Sequence, residues 1–112
     1  MNIKDYLKSN VFTSRKYISK ITGKDERTIR EKISKLKEKE PVIYNSQTKG
    51  YRLAKPILEM DLIEIEEEIK AIEHCINDIN ARQRSYENYK QTYFDYLEEA
   101  KGRKEELITK GE

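Results

Sequence analysis

The residues best equipped for specific polar recognition are Arg27, Thr28 and Arg30, which span four positions of a 112-residue chain. A guanidinium presents a planar fork of donors that can bond guanine O6 and N7 together, while Thr and Lys groups suit phosphate oxygens. No comparable cluster exists for covalent chemistry. The sequence contains no nucleophile elbow, no phosphate-binding glycine loop and no two-cysteine metal knuckle. His74 and Cys75 are adjacent, so on a helix they point to different faces and do not make a metal site. Tyr86, Tyr89, Tyr93 and Tyr96 lie near Arg82, Arg84 and Lys90. Nucleobases stack on such rings, but the helical spacing reads first as a packing face. The many carboxylates alternate with lysines as solvated helix faces do. We expect a non-enzyme that needs no cofactor.

The net charge of +2 conceals a division. Residues 1–56 carry 15 Lys and Arg against 6 Asp and Glu, a net of +9, whereas residues 57–112 carry 8 against 15, a net of −7. Such asymmetry points to a polyanion-binding domain joined to an acidic element with another task. Charged residues make up 39% and hydrophobic ones 36%, too polar for one core along the whole length, so part of the chain must be elongated or must rely on a partner. No apolar run approaches the ~20 residues that cross a bilayer, and the first residues lack the apolar core of a secretory signal. Cys75 is the single cysteine, which excludes an intrachain disulfide and fits the cytoplasm.

The elements that must position Arg27 and its neighbours are legible from local signals. Ile3, Tyr6 and Leu7 predict a short first helix over residues 3–8. Thr13 or Ser14 can cap a second helix with apolar positions Tyr17, Ile18 and Ile21, and Gly23 can end it. Asp25 suits the N-cap of a third helix, in which Ile29, Ile33 and Leu36 recur at +4 and +3 and face a core. Its opposite face holds Glu26, Arg27, Arg30, Glu31, Ser34 and Lys37, and Pro41 stops it. Val42–Tyr44 and Tyr51–Leu53 are β-prone and flank a turn-like segment, which predicts a hairpin with a polar tip.

The series Ile21-Thr22-Gly23-Lys24-Asp25-Glu26-Arg27-Thr28-Ile29-Arg30, continued by Ile33 and Leu36 and closed by Gly50-Tyr51-Arg52-Leu53, resembles the winged helices of biotin-repressor-like regulators. Its Arg-Thr-Ile-Arg and Gly-Tyr-Arg elements are also similar to MerR-type regulators, which pair a winged helix with a long dimerising helix. The resemblance covers about half the chain. It implies a winged helix-turn-helix of three helices plus a β-hairpin wing, with Arg27, Thr28 and Arg30 on a recognition helix in the major groove. Lys49 and Arg52 would then lie on or beside the wing, Glu26 could accept from cytosine N4, and Arg15 and Lys24 complete the expected DNA contacts.

Downstream, Leu58, Leu62, Ile65, Ile69, Ile72, Ile76 and Ile79 alternate +4 and +3, a heptad seam that continues through Gln83 and Tyr86. After a stammer-like step of three it resumes at Tyr89, Tyr93, Tyr96 and Ala100. The expectation is a mainly α protein: a winged helix-turn-helix over residues 1–56, then one long coiled-coil helix over residues 57–112. The seam must be covered, either by another copy or, after a bend near Asn77–Asn80, by its own second half. Residues 59–73 hold seven acids and one base, so an antiparallel arrangement toward Arg82, Arg84 and Lys90 is preferred. The expected oligomerisation residues are Leu62, Ile65, Ile69, Ile72, Ile76, Ile79, Tyr86 and Tyr93, in an antiparallel coiled-coil dimer, with higher oligomers open.

The partner expected for the basic half is double-stranded DNA, read by a dimeric transcriptional regulator acting as a repressor rather than an activator. A protein partner could use the acidic helix, and no membrane contact is expected. Two alternatives stand beside this: a phage or plasmid partition or replication accessory factor, and a protein–protein adaptor built on the coiled coil.

Overall fold

Capping side chains mark where each helical element of the first unit begins. The computed structural model describes residues 2–82 and 87–110, and the chain divides into two units, Met1–Ala54 and Lys55–Glu112. The protein is mainly helical with a small three-stranded antiparallel sheet.

In the first unit the expected first helix is only a single 3-10 turn, Ile3–Tyr6, because Leu7 already leaves it in extended conformation. So short a segment cannot offset the cost of helix nucleation, and the Lys8 carbonyl instead accepts from the Leu53 N–H at 2.8 Å. Next comes β1 (Thr13–Ser14), a strand that the capping signal alone did not foretell. Ser14 then caps α1 (Arg15–Thr22), its hydroxyl accepting from the Tyr17 N–H at 3.1 Å. Gly23 stops α1 with φ of 75°, a left-handed conformation that favours a residue without Cβ, and its N–H donates to the Ser19 carbonyl. Asp25 caps α2 (Glu26–Leu36) by accepting from the Thr28 N–H at 2.7 Å.

Beyond α2, the strands β2 (Val42–Asn45) and β3 (Gly50–Leu53) pair from Val42↔Leu53 to Asn45↔Gly50. β1 adds to the other edge of β3 through Thr13↔Tyr51 and Ser14↔Gly50, giving the order β1-β3-β2. The core of this unit gathers Ile3, Leu7, Ile18, Ile29, Ile33, Leu36, Val42 and Tyr51. Tyr17 and Ile21, expected beside Ile18, are instead 56% and 51% exposed. Ile18 lies about 100° around the helix from Tyr17, and the core meets α1 on the Ile18 side.

The second unit corrects the expectation of one long helix. It contains α3 (Leu62–Arg82) and α4 (Glu87–Lys110), which pack against each other. They run antiparallel, since α4 returns to the segment preceding α3: it touches the 3-10 turn Ile57–Glu59, and the Tyr96 hydroxyl donates to the Lys55 carbonyl. The seam residues Ile65, Ile69, Ile72, Ile76 and Ile79 are buried in this hairpin together with Tyr89, Tyr93, Leu97 and Ala100. Of the two partners open to the seam, the structure uses the chain's own second half. Six expected oligomerisation residues are therefore covered within one chain, and Leu62 is half-buried. Tyr86 lies outside the described residues.

Two positions break the extrapolated heptads. Leu58 is 77% exposed, and Leu97 takes the buried place expected of Tyr96. Asp61 and Glu64 cap the start of α3 reciprocally, with N–H to carboxylate distances of 2.8 and 3.3 Å. Among the described residues Glu68 is a buried carboxylic side chain, 2% exposed, and it accepts from the Lys55 N–H at 2.7 Å. Among the described residues no helix is long and apolar enough to cross a membrane.

Candidate nucleic-acid interface

The Asp25 cap and the Ile29, Ile33 and Leu36 face together determine which side of α2 meets solvent. With those three buried, Glu26, Arg27, Arg30, Glu31, Ser34 and Lys35 are exposed and Thr28 is half-buried. Arg27 and Arg30 stand three residues apart, hence on one side of the helix. Arg27 Nε lies 3.3 Å from Glu31 Oε1, with 80% of the Arg27 side chain and 63% of the Glu31 side chain accessible. An exposed pair of this kind contributes only a few tenths of a kcal/mol in a helix, too little to hold Arg27 back from another anion.

The turn before α2 is pinned by short-range bonds. Thr22 Oγ1 donates to the Ile18 carbonyl at 2.7 Å and accepts from the Lys24 N–H at 3.3 Å, and the Ser19 hydroxyl donates to the Lys24 carbonyl. Lys24 is exposed at that turn. The Asp25 carboxyl is held below the usual carboxylate range, first by the Thr28 backbone N–H, then by the Thr28 side chain, with a lesser contribution from the Arg27 charge. An ionised cap at the helix start also favours the aligned peptide dipoles of α2.

At the hairpin tip Asn45 Oδ1 accepts from the N–H groups of Gln47 (2.9 Å) and Thr48 (3.2 Å), and Lys49 adopts a positive φ of 55°. Lys49 is exposed there. Beside it opens a cleft of about 370 Å³ lined by Phe12, Thr13, Ser14, Tyr17, Thr48 and Gly50, which joins β1 and the start of α1 to the tip. Gly50 is required for that closeness, since a Cβ would stand 2.7 Å from Phe12 Cβ.

The expected contact residues thus fall into three groups. Lys24, Glu26, Arg27, Thr28 and Arg30 belong to α2 and the turn before it, with only Thr28 partly covered. Arg15 and Lys49 are chain neighbours of residues lining the cleft, Arg15 half-buried and Lys49 exposed. Arg52 has its guanidinium on backbone carbonyls: Nη1 donates to the Leu53 carbonyl at 3.1 Å and the Ser9 carbonyl at 3.5 Å, and the group lies 5.3 Å from the Phe12 ring centroid. Sequence reasoning passed over Lys16 and Lys20, both exposed on α1, and the hydroxyls of Thr13, Ser14 and Thr48. The +4 spacing of Lys16 and Lys20 was a usable signal, whereas the hydroxyls meet only through strand pairing. Among the described residues, no three His, Cys, Asp or Glu side chains are grouped to hold a metal ion. The chain matches no protein-family model, no curated protein and no solved structure.

Proposed function

We propose that the first unit is a winged helix-turn-helix that binds double-stranded DNA in a sequence-specific manner, with α2 as its recognition helix, and that the chain acts as a transcriptional regulator. The observation that carries this reading is the outward face of α2. Arg27 and Arg30 are exposed on it at a spacing of three, above an apolar face that holds the helix to its core. Supporting it are the connection α1–Gly23 turn–α2 and the sheet order β1-β3-β2, with the β2–β3 hairpin as the wing.

Eleven helical residues span about 16 Å, enough to lie in a major groove ~12 Å wide. Arg27 and Arg30 would read guanine edges, and Glu26 would accept from a cytosine amino group. Lys16, Lys20, Lys24 and Lys49 would contact phosphates and set the docking register. The second unit, with 9 basic against 15 acidic residues over 55–112, is repelled by the phosphate backbone, which confines DNA contact to the first unit.

Selection from random duplexes identifies the site, and binding by the full chain is then compared with the Arg27→Ala/Arg30→Ala variant. Each lost Arg–guanine pair is worth ~1–3 kcal/mol of discrimination, so the double variant should lose most of its preference for the selected site. If about six phosphates are contacted, log K should fall against log salt with a slope near −5. Unchanged site preference in the double variant would remove α2 from the reading role.

A further inference from the structure

The cleft between β1, the start of α1 and the hairpin tip has a composition that the recognition helix does not explain. Its walls are aromatic: Phe12 is half-buried, and Tyr17 is 56% exposed although it is one of the largest apolar bodies in the unit. Four of the lining residues carry hydroxyls: Thr13, Ser14, Thr48 and Tyr17. Ser14 Oγ already accepts from the Tyr17 N–H, so its own proton remains available to donate to something else. No carboxylate is among the lining residues, and the chain neighbours of the lining include the cations Arg15, Lys16 and Lys49 and no acid. At about 370 Å³ the cleft falls at the lower end of the ~300–1,000 Å³ typical of ligand clefts.

Hydroxyl donors, cationic neighbours and a missing carboxylate select an anion. Aromatic walls select an apolar body attached to it. We propose that this cleft seats one sugar–phosphate unit of a DNA strand, with the deoxyribose against Tyr17 and Phe12 and the phosphate oxygens accepting from the hydroxyls of Ser14 and Thr48. The inference rests on the DNA-binding reading above and extends it to a backbone anchor separate from α2. Such an anchor carries no base preference of its own, and it limits where the hairpin tip and α1 stand on the duplex. Gly50 makes the anchor physically feasible, because any side chain there would push β1 away from the hairpin and part the two walls.

The test uses the full chain and a random-sequence duplex at low ionic strength, with phosphate ethylation interference on the selected site. Thr48→Val and Tyr17→Ala should each weaken random-duplex binding about tenfold, the usual scale for losing a hydrogen bond to a charged group or its packing. Tyr17→Phe, which keeps the wall, should lose less. Preference among sequences should not change in any of the three, and one interfering phosphate should drop out of the Thr48→Val pattern. Circular dichroism verifies that each variant is folded. Full-strength binding by Thr48→Val and Tyr17→Ala, alongside loss in Arg27→Ala/Arg30→Ala, overturns the anchor and leaves the recognition helix standing. Saturation of the cleft by a free deoxynucleoside monophosphate that does not compete with duplex also overturns it. A parent chain that ignores duplex at low ionic strength overturns the anchor and the DNA-binding reading together.

Discussion

Replacing single glycines by alanine should change stability in opposite directions at different positions. At Gly50 the added Cβ would meet Phe12 Cβ at 2.7 Å, and the Phe12 carbonyl carbon and Thr13 N at 3.3 Å. Carbon atoms pack best at ~3.5–4.0 Å, and none of these three atoms is the yielding end of a long side chain. β1 must therefore retreat by close to ~1 Å, which stretches the Ser14↔Gly50 and Thr13↔Tyr51 pairing. Overpacking of this kind costs about 1–3 kcal/mol. Alanine recovers about 0.5–1 kcal/mol of backbone entropy, so Gly50→Ala should be net destabilising by about 1 kcal/mol, with about 2.5 kcal/mol as the upper bound. Gly102 lies inside α4 with nothing within 4 Å of its would-be Cβ. Gly102→Ala should therefore stabilise by up to about 1 kcal/mol. Gly23→Ala also meets nothing within 4 Å, but its φ of 75° penalises an L side chain by about 1–2 kcal/mol. Urea midpoints at constant m-value measure all three, and a shift of ~4–8 °C in melting temperature accompanies each kcal/mol in a unit of this size. A Gly50→Ala protein as stable as the parent would refute the close approach of β1 to the hairpin.

Other tests address the remaining elements. Ile72 is fully buried between α3 and α4, so Ile72→Ala should destabilise the second unit by about 2–5 kcal/mol, read from its urea midpoint. A negligible loss would mean that the hairpin does not bury this seam. Asp25 provides a pH test, because its native pKa is depressed by the Thr28 bonds. Its stabilisation is present in full above the usual carboxylate pKa near 4 and is lost as pH falls through the lower native value. Asp25→Asn keeps an N-cap without the titration. The parent's advantage over that variant should shrink on acidification, and an advantage that grew instead would contradict the assignment.

How much could be read in advance depended on the range of the interactions involved. The Ser14 and Asp25 caps, the Gly23 stop, the Ile29–Ile33–Leu36 face and the strands on either side of the hairpin tip all stand in the structure. The +4, +3 rhythm from Ile65 to Ile79 also marks a buried face. The candidate contacts on α2 were legible for the same reason, since burying the apolar face forces Arg27 and Arg30 outward. The cleft was not legible. Its lining comes from residues 12–17 and residues 48–50, and only the pairing of β1 with β3 brings those segments together.

Local chemistry within about four residues is written in the sequence: caps, stops, helical faces and turn formers act through bonds and sterics between near neighbours. Tertiary structure decided what those surfaces meet. A greasy stripe states that something must cover it, and here α4 did so, with Leu97 rather than Tyr96 facing inward. Distant backbone groups competed with local ones at Lys8, whose carbonyl went to the Leu53 N–H, and at Arg52, whose guanidinium reaches the distant Ser9 carbonyl as well as that of its neighbour Leu53. Such choices compare free energies of surfaces far apart along the chain, and no window of neighbouring residues contains that comparison.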